Sequence, residues 1–361
     1  MKKLIIRALA GLLASVLLVI GVSLVGNMPN GKRTDGVFYH ASGIHPDAAL
    51  MTVNRQNVSA EEYLYWLAYD CDYLSSYMGS VDFDAAVSGS MTYGQYAMED
   101  AQRTVVLYSV VRQWAKDAGI TLSDASQAQL DAQRQEYVDY YGGEEGYARQ
   151  LELMGLTEEG FQQINQVYFL YSELYQAYCA EGGSLRPSHE DISAFAASGG
   201  YCTFLPLYWP VSDTETADSV LAEAEAAAAR LRQADDVTAA YLQIAQEMAL
   251  EATAAGQTVS VQELDSSLAA VLSALSEGQV SDVVQTEAGC YVFVGQALDT
   301  DALLDKMFNA RLDALREGAA IRYNCRSYDK LNVSRFYTKL QTLRSQLQST
   351  ASAGSDADSQ S

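Results

Sequence analysis

The sequence predicts a mostly helical α+β fold, and three observations support this prediction. Only 5 of the 361 residues are proline and 49% are hydrophobic, which favours folded helical structure over disorder. Helix-start signals, in which a serine or threonine precedes acidic residues, stand before long runs with helical spacing. The clearest strand patterns, rich in β-branched and aromatic residues, are residues 201–211 and 291–295. The chain is long enough for two or three domains.

The N-terminus combines basic residues with an apolar run. Lys2, Lys3 and Arg7 precede residues 8–26, a stretch of about 19 uncharged residues, close to the length that spans a bilayer. This pattern predicts that residues 1–26 are a signal-anchor or a signal peptide. The length favours a retained single-pass anchor. The rest of the chain is then expected on the extracytoplasmic face of the cell membrane, or secreted if the segment is cleaved.

Changes in composition mark the predicted boundaries of the remaining chain. Residues 27–49 are rich in glycine, asparagine, aspartate and proline and are predicted to form a linker. A capping box at residues 59–62 starts a series of helices, and the glycine-containing stretch 182–187 is a joint. The final residues, 348–361, lack apolar periodicity and are predicted to be a disordered tail. The folded body is thereby divided into residues 50–187, 188–298 and 299–347.

Charge and cysteine usage limit the possible partners and cofactors. The formal net charge of −23 disfavours nucleic-acid partners, because such a surface repels phosphate backbones. The five cysteines form no Cys-x-x-Cys pair, and the three histidines, His40, His45 and His189, do not cluster with them. The sequence therefore predicts no metal site and no cofactor.

Residues 278–298, which read GQVSDVVQTEAGCYVFVGQAL, follow a helical run and contain two short strand patterns around a polar turn. This stretch resembles the C-terminal half of a parvulin-type peptidyl-prolyl isomerase domain. In that family a "GxxS" element, a strand, a "T-x-x-G" turn and a last strand follow one another. Residues 201–298 also repeat the parvulin order of strands and helices. The resemblance implies a small antiparallel sheet flanked by helices within residues 188–298.

The helical segment before this domain has a resemblance of its own. The stretches VNRQNVSAEEYLYW and GGEEGYARQLELMGLTEEGFQQ, followed by a long helix, resemble the helical chaperone domain of SurA/PrsA-type foldases. In that family the helical segment precedes the parvulin domain and joins with the C-terminal helices. The resemblance therefore implies that residues 299–347 pack on residues 50–187.

The resemblance to parvulins fails at the catalytic positions. Active members place two histidines on neighbouring central strands. Pro206 stands where the first histidine is expected, and Tyr291 stands in place of the second. Neither residues 201–211 nor residues 289–298 contain any histidine, so a small error in alignment does not change this conclusion. We therefore expect a parvulin-like domain with low or no isomerase activity.

The alternation of side chains along a strand suggests what the site retains. Phe204, Pro206 and Tyr208 share one face of the first strand, and Tyr291 and Phe293 share one face of the last strand. If these faces meet in the former groove, the groove is lined with aromatic side chains that suit extended apolar peptides. Phe204, Tyr208, Tyr291 and Phe293 are therefore candidates for peptide binding. The alternative is that these aromatic residues pack beneath helices as core.

Together these features predict a membrane-tethered extracytoplasmic chaperone or foldase. Its partners would be unfolded or newly exported polypeptides, and the N-terminal apolar segment would attach it to the membrane. Two alternatives remain open on the sequence. The first is an active peptidyl-prolyl isomerase with a rearranged site. The second is a scaffolding protein of the cell envelope with one dedicated partner.

Overall fold

The computed structural model describes residues 28–211 and 217–358. The predicted signal-anchor, residues 1–26, lies outside the described residues. Within the described part of the chain, no helix combines the length and the apolar character needed to cross a membrane.

Helices account for most of the described chain, as the sequence predicts. The helices are α1 (Gly36–Ser42), α2 (Ala60–Met78), α3 (Tyr93–Asp117), α4 (Asp124–Tyr140), α5 (Glu144–Met154), α6 (Glu158–Cys179), α7 (His189–Gly199), α8 (Ala217–Arg232), α9 (Val237–Glu247), α10 (Ser266–Ala274), α11 (Thr300–Glu317), α12 (Cys325–Tyr328) and α13 (Val333–Asp358). The strands are β1 (Ala49–Val53), β2 (Gln56–Ser59), β3 (Ala86–Ser88), β4 (Met91–Thr92), β5 (Tyr201–Pro210), β6 (Gln257–Ser260), β7 (Val284–Thr286), β8 (Gly289–Gln296) and β9 (Ile321–Tyr323). The predicted mostly helical α+β class is confirmed.

The chain divides into two compact units. The first combines Met1–Leu174 with Leu312–Ser361, and the second is Tyr175–Arg311. The N-terminal and C-terminal segments thus belong to one unit, interrupted by the other. One division falls within α6 and the other within α11, whereas the sequence boundaries were placed at residues 187 and 298.

The first unit is built from helices around a small sheet with the strand order β2-β1-β9. Helix α2 begins where the sequence predicts, because the Ser59 hydroxyl accepts a hydrogen bond of 3.1 Å from the amide of Glu62. Its residues Tyr63, Leu64 and Leu67 are completely buried. One side of this helix is therefore core, as expected for an amphipathic helix.

The predicted linker at residues 27–49 is wrong, because part of it folds onto the first unit. Helix α1 lies within it and buries Val37 and Phe38. The Phe38 ring lies 6.1 Å from the ring of Phe336 in α13. The buried side chains Val37, Phe38 and Ala41 have helical spacing, although the surrounding composition is glycine-rich and polar. The burial of these side chains outweighs the turn signals around them.

The predicted disordered tail at residues 348–361 is also corrected in part. Helix α13 continues to Asp358, beyond the expected end at residue 347. Residues 359–361 lie outside the described part. The extension contains alanine and glutamine, which favour helix, and neither glycine nor proline occurs between residues 348 and 353 to stop it.

The second unit contains a four-stranded sheet with the order β6-β5-β8-β7, in which every neighbouring pair is antiparallel. This agrees with the small antiparallel sheet that the family resemblance implies. One face of β5 and β8 is covered by α8 and α9, and this face carries the main core of the unit. Its central residues are Leu205, Leu207, Trp209, Val292 and Val294.

Candidate functional site

The opposite face of the same sheet carries the predicted site residues. Strand β5 pairs with β8 in an antiparallel register that sets Tyr208 opposite Tyr291 and Pro206 opposite Phe293. Residues that alternate along a strand share a face, so Phe204, Pro206 and Tyr208 project to the same side as their partners. The two positions at which histidine is missing therefore lie on neighbouring strands and on one face.

These side chains line a groove with a volume of about 700 Å³. The sheet contributes aromatic residues and two prolines, and α10 contributes a leucine wall. Tyr241 of α9 and the segment 249–253 form the opposite margin. The groove is lined by Phe204, Pro206, Tyr208, Pro210, Tyr291 and Phe293 from β5 and β8, and by Leu264, Leu268 and Leu272 from α10 and the residues before it.

The aromatic rings of the groove form a continuous row. The rings of Tyr208 and Tyr291 are stacked, with centroids 4.5 Å apart. The Tyr291 ring is nearly parallel to that of Phe293 at 5.7 Å, and Phe293 meets Phe204 edge to face at 5.2 Å. Such contacts stabilise the row beyond simple burial and hold the rings in fixed orientations. The surface offered to a ligand is therefore preformed.

The two ends of this row differ in exposure. Phe204 and Phe293 are 5% and 3% exposed and form a small core with Leu272 and Val284. Tyr208 and Tyr291 are only half-buried. The core interpretation considered for these aromatic residues thus fits the two phenylalanines. The two tyrosines remain available to a ligand, and peptide binding by the four residues stays a prediction.

The polar side chains at the groove are three tyrosines and Glu251, Thr253 and Gln257. The Tyr208 hydroxyl donates to the carbonyl oxygen of Ala288 at 2.8 Å, and the Tyr241 hydroxyl donates to that of Pro206 at 3.1 Å. Burial raises the pKa of Tyr291, and the neighbouring Tyr208 raises it further. Burial also raises the pKa of Tyr241. Both phenols therefore stay neutral throughout the physiological range.

Pro206 occupies a position in β5 where its missing amide costs no ladder bond. The amide and the carbonyl of the opposite residue, Phe293, both bond to Ser281, which lies away from β5. Pro206 and Phe293 are therefore a non-hydrogen-bonded pair, and the nitrogen of Pro206 faces the other edge of β5. This explains how a proline is accommodated within a central strand.

Sequence reasoning missed the contributions that come from outside β5 and β8. Tyr241 lies in α9, and its hydroxyl donates a hydrogen bond to the Pro206 carbonyl. The leucines of α10 also line the groove. Their spacing within amphipathic helices indicates burial but does not indicate which surface each helix covers. No signal in a single sequence would have assigned them to the groove.

Part of the second unit is similar to a known domain family. Residues 213–305 match the model of the PPIC-type PPIASE domain. This part of the chain is similar to that domain family. The match to the PPIC-type domain includes Tyr291 but begins after β5, so Pro206 lies outside it. The parvulin resemblance predicted from residues 278–298 is thereby confirmed.

Several solved structures are also similar to the chain. PrsA from Bacillus subtilis is 14% identical, with coverage of 64% of this chain and 88% of that chain and a TM-score of 0.27. The foldase PrsA from Streptococcus pneumoniae is 18% identical, with coverage of 73% and 94% and a TM-score of 0.25. A SurA-like chaperone from Campylobacter jejuni is 12% identical, with coverage of 76% and 98% and a TM-score of 0.21. A comparison with curated protein sequences finds no similar protein.

The chemistry of prolyl isomerisation sets what the PPIC-type domain must supply. Rotation about the peptide bond has a barrier of about 18–20 kcal/mol, because the amide loses its partial double-bond character. A catalyst needs an apolar pocket for the ring and polar groups that stabilise the twisted amide. The groove supplies apolar and aromatic surface, but its described lining contains no histidine.

Proposed function

We propose that the protein is an extracytoplasmic chaperone whose PPIC-type domain holds extended apolar segments of unfolded polypeptides without efficient isomerisation. One observation carries the proposal. The groove keeps a preformed row of aromatic rings, while proline and tyrosine occupy the two positions at which histidine is expected. Under the proposal, the groove keeps a binding surface where catalytic groups are missing.

The size and lining of the groove suit a short extended segment. A cavity of about 700 Å³ holds a few side chains, and half-exposed tyrosines offer apolar faces with polar edges. Burial of one large apolar side chain contributes about 1.5–3 kcal/mol. Two or three such anchors contribute about 3–9 kcal/mol before the costs of association and of ordering the peptide are subtracted, so we expect weak and readily reversible binding.

The location follows from the N-terminal sequence rather than from the fold. The basic residues and apolar run of residues 1–26 support an exported chain held at the outer face of the membrane. Clients at that location would be newly exported polypeptides that have not yet folded. This part of the proposal is tested by protease accessibility of the second unit in intact cells, and complete protection there would contradict it.

Peptide binding is tested with the full-length chain and a fluorescein-labelled, proline-containing apolar peptide. We expect saturable binding, and we expect Tyr291→Ala to raise the Kd about tenfold because it removes the central ring of the row. Tyr140→Ala is the matched control, because Tyr140 is 81% exposed in α4 and lies outside the groove. Unchanged affinity in Tyr291→Ala would exclude the groove as the binding site.

A working isomerase is the second candidate, and the family match of residues 213–305 favours it. A protease-coupled assay on a proline-containing tetrapeptide separates the two functions. Under the binding proposal, the cis-to-trans rate equals the uncatalysed rate at enzyme concentrations well above the peptide Kd. An acceleration that Tyr291→Ala abolishes would establish catalysis instead.

The chaperone function itself is tested by aggregation of a reduced, unfolded client. We expect the full-length chain to suppress light scattering at a few-fold molar excess, and Tyr291→Ala to suppress it less than Tyr140→Ala does. Co-purification from cells gives a further distinction. A single stoichiometric partner, with no suppression of aggregation, would favour the scaffolding alternative.

A further inference from the structure

A second cavity, in the first unit, has a lining of the opposite character to the groove. Its volume is about 440 Å³, and it lies where the end of α1 meets the start of α13. Lys330, Arg335, Lys339 and His40 all line it. Three cationic side chains, all of them exposed, thus line one concave site in a chain with a net charge of −23.

Among the described residues, no carboxylate forms an ion pair with the cations of this site. The chain contains twice as many acidic residues as basic ones, 46 against 23. Within the described residues, however, the cavity is lined by neither aspartate nor glutamate. The described ion pairs also leave Lys330, Arg335 and Lys339 without a carboxylate partner, whereas Arg344, further along α13, is paired with Asp72 at 2.8 Å.

The backbone that carries these cations is held by packing and by a hydrogen bond. Phe336, between two of them on α13, is 1% exposed and contacts the ring of Phe38 in α1. The first turn of α13 is fixed by a hydrogen bond of 2.8 Å from the amide of Arg335 to the side-chain oxygen of Asn332. Arg335 and Lys339 are four residues apart and therefore lie on one side of the helix. The positive end of the helix dipole adds to their field.

Distance decides which charges an anion in this cavity would experience. The Debye length is about 8 Å at physiological ionic strength, so charges further away are largely screened. The three cations line the cavity itself, whereas the general negative charge is spread over the whole surface. At that ionic strength an anion in the cavity experiences mainly the nearest charges, and the charged residues that line the cavity are cationic.

We propose that this cavity binds a phosphate group carried by a lipid headgroup or by a soluble phosphate compound. A phosphate group carries more negative charge than a carboxylate and has oxygens that several donors can reach at once. Arginine offers two parallel donors, and the lysines supply point charges on flexible stems. Such a set matches a polyvalent oxyanion better than a single carboxylate.

The test uses the full-length chain in nanodiscs and measures the rate at which an amine reagent acetylates each lysine. In phosphatidylcholine discs with added inorganic pyrophosphate, we expect Lys330 and Lys339 to react at least fivefold more slowly. Lys116, an exposed lysine of α3, is the internal control and should be unaffected. Protection that requires pyrophosphate identifies a soluble phosphate compound. Protection that requires phosphatidylglycerol in the discs, without pyrophosphate, identifies a lipid headgroup.

Two charge-matched variants complete the test. Arg335→Gln should raise the pyrophosphate or phosphatidylglycerol concentration needed for half-protection about tenfold. Arg149→Gln removes the same charge from an exposed position in α5 and should leave it within twofold. The proposal is overturned if neither phosphate source protects the two lysines. It is equally overturned if Lys116 is protected to the same extent, or if both variants weaken protection alike.

Discussion

The two faces of the β5–β8 sheet are formed by alternate residues of the same two strands, yet they differ in what covers them. Leu205 and Leu207 on one face are completely buried under α8 and α9. Tyr208 and Tyr291 on the other face are half-buried and border a groove. Both faces are rich in large side chains, so composition alone does not separate core from site. The difference lies in the neighbouring helices, which cover one face fully and the other only at its α10 end.

The largest expected effect comes from truncating a buried side chain on the covered face. Leu207→Ala should lower the free energy of unfolding of the second unit by about 3 kcal/mol, because the cavity left in a closed core cannot collapse. The measurement is urea-induced unfolding followed by circular dichroism. Leu242→Ala removes the same atoms from a side chain that is 37% exposed in α9, and it should cost less than about 0.5 kcal/mol. Similar losses in both variants would show that the covered face is not a closed core.

The next effect is the pH dependence of stability that arises from the carboxyl group of Asp70 in the first unit. Burial, with the adjacent Asp100 carboxylate, raises the pKa of Asp70 to about 8. The folded state then keeps a proton that the unfolded state releases near pH 3.9, so stability falls as the pH rises from about 4 to about 8. The full shift corresponds to about 4 kcal/mol between pH 5 and pH 8.5, and solvent screening of the half-buried Asp70 reduces the expected fall in the free energy of unfolding to about 2 kcal/mol.

Asp70→Asn should remove most of that pH dependence and raise stability at pH 8.5. Denaturant unfolding of the full-length chain at several pH values gives the measurement. Asp117→Asn, at an exposed position of α3, removes an equal charge and should keep the wild-type slope. An unchanged slope in Asp70→Asn would assign the pH dependence to another group.

A smaller effect is expected from the hydroxyl at the open end of the groove. Tyr208→Phe loses the hydrogen bond to the Ala288 carbonyl and should destabilise the second unit by about 0.5–1.5 kcal/mol. Tyr201→Phe is the control in the same strand, because its ring stacks on Phe195 while its hydroxyl has no described hydrogen bond. Equal stability in the two variants would mean that the Tyr208 hydroxyl contributes nothing to the sheet.

The smallest expected effect is the pH dependence of peptide binding. The groove has no described histidine, and the pKa values of Tyr291 and Tyr241 are raised above that of an ordinary tyrosine. The peptide Kd should therefore change less than twofold between pH 5.5 and pH 8.5. Fluorescence anisotropy at a fixed salt concentration measures it. A titration with a midpoint near pH 6.5 would indicate an imidazole in the binding site.

Much of the fold could be predicted because local signals agree with it. The serine at residue 59 caps α2 as its spacing predicts, and the alternation of side chains along a strand predicts that Phe204 and Tyr208 share one face. Helix α1 was not predicted, because a stretch rich in turn-forming residues hides the few apolar side chains that anchor it. Tertiary packing decides such cases, and a local pattern does not encode it.

The candidate site was predictable only in its strands. The positions of Pro206 and Tyr291 on adjacent strands follow from the family resemblance, and β5 and β8 are indeed neighbours. The closing residues come from α9 and α10, whose placement depends on long-range packing. The cationic cavity was not predicted at all, because His40 and Lys339 are about 300 positions apart in the sequence and meet only when the two ends of the chain join.

The proline in β5 has a consequence for how a client can be held. Beyond Phe204 no described strand pairs with the outer edge of β5, and open edges of this kind recruit extra strands. At Pro206 that edge lacks a donor, and its carbonyl is already occupied by Tyr241. A captured polypeptide therefore cannot extend the sheet by main-chain pairing at this point. If the domain holds extended chains as proposed, Pro206 removes one position at which such a chain could add to the sheet.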